Sequence, residues 1–174
     1  AARRVPPGQS CAALVCAFGR GAVRALTQKG GQQCAAILRP LVPRAMLEDV
    51  VGLLAERLAE TVVGNPVADR VTMGPVATRA QREEVVSKLA LLRGEARVAY
   101  EQEALVPVGA PEGKGYYVSP TLLVVHDSEA AKHVHEHEVF GPAATVLAYD
   151  NLEHAAHLVR RGGGGLVAAV YCAD

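Results

Sequence analysis

The sequence reads as an α/β domain with an open, largely parallel sheet flanked by helices. Helical and strand-like patterns alternate from Ile37 to Tyr171, the order that repeated strand–helix units produce. Half of the 174 residues are apolar, enough for one packed core. The connections are rich in glycine and proline, as in "GNPVADRVTMGPVAT" at 64–78.

The elements follow in order. Ala12 to Thr27 has helical character, although Gly19 and Gly21 weaken it. Ile37 to Val42 is extended and apolar and reads as a strand. Leu47, Val50, Val51, Leu54, Leu58 and Val62 recur every three or four residues, so this segment is an amphipathic helix. Glu48 and Asp49 in its first turn suit the positive end of the helix dipole. Thr78 and Gln81 form a capping box for a helix over 79–93, whose apolar face is Val85, Val86, Leu89 and Leu92. "ARVAYEQ" at 96–102 alternates as a strand, and "VGAPEGKGYY" at 108–117 is a turn-rich link. "TLLVVHD" at 121–127 is a strand, with Asp127 or Ser128 placed to cap a short helix after it. "AATVLAYD" at 143–150, "NLEHAAHLVRR" at 151–161 and "LVAAVY" at 166–171 read as strand, helix and last strand.

Composition removes several function classes. Eighteen basic residues balance eighteen acidic ones, so no polyanion partner is indicated. Aromatics make up 4% of the chain and tryptophan is absent, which argues against base-stacking platforms for nucleic acid. No apolar run approaches the ~20 residues of a membrane-spanning helix. The start, "AARRVPPGQSCAALVCAFGRG", has the arginines and apolar run of a secretory leader, but two prolines interrupt it. Cys11, Cys16, Cys34 and Cys172 form no C-x-x-C pair, so the thiols are expected to be free and the compartment cytoplasmic.

Cys34 carries the chemistry. A lone cysteine is most often a small buried hydrophobe. This one follows Gly30 and Gly31, where a helical pattern hands over to an extended one. Glycines allow tight backbone geometry, and free amides on such a turn can stabilise an oxyanion formed when a thiolate attacks a carbonyl.

"GQQC" at 31–34 followed by "EVFGP" at 138–142 resembles the catalytic domain of aldehyde dehydrogenases. "VGNPVADRVTMGPVAT" and "GYYVSPTLL" are similar to further motifs of that family in the same order, and the resemblance spans 25–174. "ALTQKGGQQCAAILRPLVP" and "RRGGGGLVAAVYCAD" are similar to the members that oxidise acyl-CoA semialdehydes in phenylacetate and benzoyl-CoA degradation. The resemblance implies that Cys34 attacks the aldehyde, that its own amide is one oxyanion donor, and that hydride passes to NADP or NAD. It implies that Glu138 binds the nicotinamide ribose hydroxyls and that Phe140 packs near the nicotinamide ring. It implies an aldehyde substrate, CoA-linked in the members named, and a homo-oligomeric parent enzyme; no residue is assigned as a metal ligand.

The pattern is incomplete. The family also uses a glutamate general base and an asparagine oxyanion donor upstream of the cysteine, and a Rossmann-like dinucleotide domain. Here no acidic residue precedes Glu48 and no asparagine precedes Asn65. The expectation is a partial catalytic domain over 22–174, a poorly matching segment at 1–21, no dinucleotide-binding domain, and no turnover by this chain alone.

Two alternatives stand beside this reading: an inactive truncated relative, and a zinc-binding module. The second rests on His133, His135 and His137, which would share one face of a strand. "GGGG" at 162–165 precedes a strand and follows a helix, the reverse of a phosphate loop, and reads as a connection. "CAALVC" at 11–16 has neither metal-knuckle nor redox spacing and reads as core packing.

Overall fold

The computed structural model describes residues 11–172; residues 1–10 of the segment expected to match poorly lie outside them. Five α-helices are present among the described residues: α1 Cys11–Thr27, α2 Leu47–Ala59, α3 Arg79–Leu92, α4 His133–Glu136 and α5 Leu152–Arg161. Four strands, β1 Leu41–Pro43, β2 Ala96–Tyr100, β3 Thr121–Val125 and β4 Ala143–Tyr149, form one sheet in the order β1-β4-β3-β2. β4 runs parallel to both β1 and β3, with Leu41 opposite Leu147 and Thr121 opposite Ala143. β2 joins antiparallel at the edge, with a register shift between Val98 and Tyr100. The sheet is open and mostly parallel, as the sequence pattern implies.

The two central strands are buried along nearly their whole length because both of their faces are covered, and Thr121 and Thr145 are their only buried polar residues. Successive side chains leave a strand on opposite sides. Leu123, Val125, Ala143 and Leu147 therefore meet Val85, Leu89 and Leu92 of α3 and Leu158 of α5. Leu122, Val124, Ala144 and Val146 meet Ala22 and Leu26 of α1 and Val50, Val51, Leu54 and Leu58 of α2. Leu58, Leu123, Val146, Leu147 and Leu158 are completely excluded from solvent. Truncating one such leucine to alanine costs about 2–5 kcal/mol.

Helix starts follow local chemistry. The Thr78 hydroxyl accepts the Gln81 amide at 3.2 Å, and the Asn151 side chain accepts the His154 amide at 2.9 Å. Asp127 does not cap a helix: its carboxylate accepts the amides of Glu129 and Ala130, closing a turn. Glu95, just before β2, caps α4 instead, accepting the amides of Lys132, His133 and Val134 at 2.7–3.0 Å. Burial pushes the Glu95 carboxyl up, but those three amides outweigh it and hold it below the usual carboxylate range.

Three further expectations are corrected. The strand expected over 37–42 shortens to Leu41–Pro43. Pro40 has no N–H to give, although the carbonyls of Leu38 and Pro40 still accept from Thr145 and Leu147 of β4. The strand expected at 166–171 is irregular, with Leu166 and Val170 exposed. Its end packs on α1 rather than on a strand: the Tyr171 ring meets Phe18 edge to face at 5.4 Å. His133 and His135 lie on α4, not on a strand, so they do not share a face with His137 in the expected way. Among the described residues no helix is long and apolar enough to cross a membrane.

Candidate active site

The turn that leads to Cys34 is built by three consecutive residues in the left-handed region. Lys29, Gly30 and Gly31 have φ of 55°, 62° and 73° and turn the chain sharply after α1. Gln32 follows at φ −82°, ψ 70°, and the Gln33 amide reaches the Gly31 carbonyl at 2.9 Å, which is an inverse γ-turn. The Ala36 amide then closes a second turn onto the Gln33 carbonyl at 3.1 Å. Cys34 sits on this second turn and is exposed.

Two glycine–proline segments grip the turn from either side. Gly30 is buried against Gly74, Pro75 and Val76. Gly31 lies so close to Gly141 and Pro142 that a Cβ there would stand 2.2 Å from the Gly141 carbonyl oxygen. Only glycine meets both requirements at position 31, a positive φ and backbone-to-backbone contact. Gln32 ties the same three pieces together: its Nε2 donates to the Phe140 carbonyl at 3.4 Å and its Oε1 accepts the Ala77 amide at 2.8 Å. The Gln33 side chain donates back to the Gln28 carbonyl at 3.1 Å.

The segment that carries Glu138 and Phe140 is anchored separately. Lys88 of α3 donates to the Glu138 carbonyl at 2.7 Å and pairs with Glu84 on its own helix. The Glu138 side chain is exposed, and Phe140 is half-buried. The structure thus brings the segment holding Cys34 against the segment holding Glu138 and Phe140, although they are over a hundred positions apart in sequence. No hydrogen bond engages the Cys34 amide among the described residues, so that donor is available to an incoming oxygen. A groove lined by Arg82, Arg93, Glu101 and Tyr117 lies elsewhere and contains none of the three residues.

The structural parts played by Gln32, Lys88 and Glu95 were not read from sequence. Gln32 lies inside "GQQC", so its position was marked, but its partners are tertiary. Lys88 and Glu95 give no local signal, because each acts on backbone dozens of residues away.

The geometry defines an α/β domain that displays one thiol on a glycine-built turn. Residues 15–174 match the family model described as aldehyde dehydrogenase family, and the chain belongs to that family. The 3,4-dehydroadipyl-CoA semialdehyde dehydrogenase of Aromatoleum evansii is 40% identical over 153 residues, covering 87% of this chain and 30% of that protein. The lactaldehyde dehydrogenase of Escherichia coli K12 is 35% identical over 144 residues, covering 81% of this chain and 28% of that protein. Among solved structures, an aldehyde dehydrogenase variant from Bacillus cereus superposes with a TM-score of 0.75 at 25% identity, over 99% of this chain and 33% of its own. A variant from Pseudomonas syringae, solved with NAD+ and octanal, superposes with a TM-score of 0.71 at 27% identity, over 91% of this chain and 31% of its own. The chain thus spans about 30% of the length of the curated relatives it matches.

Proposed function

We propose that this chain supplies the nucleophile turn and one wall of the cofactor site for NAD(P)-dependent oxidation of an aldehyde to an acid. The observation that carries the reading is the contact of the Gly30–Cys34 turn with the Val139–Pro142 segment through Gly31 and Gln32. The Cys34 sulfur attacks the carbonyl carbon, a C–S bond forms, and the carbonyl electron pair moves to oxygen beside the Cys34 amide. A bound nicotinamide would supply the hydride acceptor, and Cys34 would carry the acyl group as a thioester until water releases the acid. Glu138, exposed, is assigned to the nicotinamide ribose hydroxyls, and Phe140 to packing near the ring.

An acyl-CoA semialdehyde of aromatic degradation is the substrate class we assign, supported by the name of the Aromatoleum relative. NADP rather than NAD is assigned by the same subfamily resemblance. The parent enzyme is assigned as a homo-oligomer of the cytoplasm, a compartment consistent with the free thiols of Cys16, Cys34 and Cys172. Residues 22–174 are then assigned to part of a catalytic domain.

The 174-residue chain alone is expected not to turn over. Orienting the reactants is worth roughly 7–11 kcal/mol of barrier. A general base adds ~100- to 10,000-fold, and no acidic residue precedes Glu48 in this chain. The test is formation of reduced nicotinamide from NAD+ and NADP+ with several aldehydes. Background rates in both the chain and Cys34→Ala are expected. Steady turnover that Cys34→Ala abolishes would overturn this expectation.

A further inference from the structure

The histidine-rich turn does present three ligands, though not the three that alternation along a strand would give. His135 is withdrawn, because its Nδ1 faces the Arg39 guanidinium at 3.1 Å. His133 and His137 stand one helical turn apart, and their rings stack with centroids 5.5 Å apart and an interplanar angle of 25°. Glu136 comes in beside them. Each of these three residues offers one ligand atom, and all three atoms lie within 4.8 Å of one another.

We propose that His133, Glu136 and His137 form a binding site for a borderline divalent cation of the Zn2+ type. Two imidazoles at i and i+4 on one helical turn, with a carboxylate at i+3, are a donor set suited to Zn2+. A tetrahedral ion with ligands at ~2.0–2.1 Å separates them by ~3.4 Å. The observed cluster has to contract by at most about 1.4 Å, within reach of side-chain rotation. The Glu136 carboxylate is exposed, and its only ion pair among the described residues is a long one of 3.9 Å to Lys132. The His133 Nδ1 is buried and has no hydrogen-bond partner, an unmet polar atom of the kind a ligand resolves. The turn itself is fixed, because the Glu95 carboxylate holds the amides of Lys132, His133 and Val134. Three protein ligands leave a fourth position for water. His137 directly precedes Glu138, so a bound ion pins the start of the segment that contacts Gln32. That last consequence, though not the site, rests on the function proposed above.

The experiment titrates the chain, its cysteines first alkylated, with Co2+ followed by visible absorption, and then displaces Co2+ with Zn2+. One equivalent of tightly held Co2+ with nitrogen and oxygen ligands is expected. His133→Ala with His137→Ala should weaken binding at least tenfold. Glu136→Gln should weaken it less, and Lys132→Ala should tighten it by freeing the carboxylate. Circular dichroism checks that each variant folds. Should the double variant not fold, ring resonances of the unmodified histidines decide: Zn2+ should shift His133 and His137 and leave His126 and His157 unchanged. Absence of Co2+ uptake by the alkylated chain, unchanged uptake by a folded double variant, or Zn2+ shifts confined to other histidines would each overturn the site.

Discussion

Gln32 and Phe140 are joined across more than a hundred positions of sequence: the Gln32 amide donates to the Phe140 carbonyl at 3.4 Å while its oxygen holds the Ala77 amide at 2.8 Å. One side chain therefore sets the spacing between the thiol turn, the Gly74–Val76 loop and the segment assigned to the cofactor. Gln32→Ala removes both bonds and leaves two backbone groups to find water. A loss of about 1–2 kcal/mol is expected, measured by urea unfolding. Gln32→Glu keeps the acceptor for Ala77 but places a carboxylate against the Phe140 carbonyl, so it should not rescue the alanine variant. Full rescue by glutamate would show that the Phe140 contact contributes nothing.

Gly31→Ala should be more damaging than its size suggests. The new methyl meets the Gly141 carbonyl at 2.2 Å, backbone against backbone, and the residue keeps φ near +73°. Gly163 has a similar φ of +68° with nothing within 4 Å of its Cβ position, so it is the control. Gly163→Ala should cost about 1–2 kcal/mol for the left-handed conformation alone. Gly31→Ala should exceed that clearly, and equal costs in thermal melts would contradict the close approach of the two segments.

Much of this arrangement was legible in the sequence, and the reason is local. Val50, Val51, Leu54 and Leu58 announce α2 by spacing, and all four are buried as the stripe requires. Thr78 and Asn151 announce helix starts through their own side chains. The misreadings came where a partner decides. "LVAAVY" has strand chemistry, but a strand exists only beside another, and here Tyr171 goes to Phe18. Alternation in "HVHEH" looks like a strand until Glu95, from another part of the chain, caps the segment as a helical turn. The candidate site was proposed from residue types around Cys34 and Phe140, not from the Gln32 and Gly31 contacts that join their segments.

Acid should act on the joint between β1 and β4. Arg44, just after β1, pairs with Asp150, just after β4, through two hydrogen bonds of 2.5 and 3.0 Å. That hydrogen bonding and the Arg44 charge, with His154 adding to both, hold the Asp150 carboxyl below the usual carboxylate range. A carboxyl depressed in the folded state stabilises at pH above its unfolded value of ~3.9, and the contribution fades as pH falls through the folded value. Arg44→Ala should melt slightly below the unmodified chain at neutral pH, by a small amount because the pair is exposed. The gap should close on acidification and in high salt. A gap that is constant with pH would remove Asp150 as its source.

Carbonyl addition at Cys34 needs neither the cofactor nor the general base, so it isolates the central claim. A short aldehyde carrying 13C at the carbonyl, mixed with the folded chain at neutral pH, should give a new tetrahedral-carbon NMR signal from the thiohemiacetal. The thiol releases its proton to solvent, the sulfur–carbon bond forms as the carbonyl π pair moves to oxygen, and the oxygen takes a proton from solvent. The account predicts that this signal is present in the unmodified chain and in Cys172→Ala, and absent in Cys34→Ala. A folded chain that gives no such signal, or a signal that survives in Cys34→Ala, would contradict it.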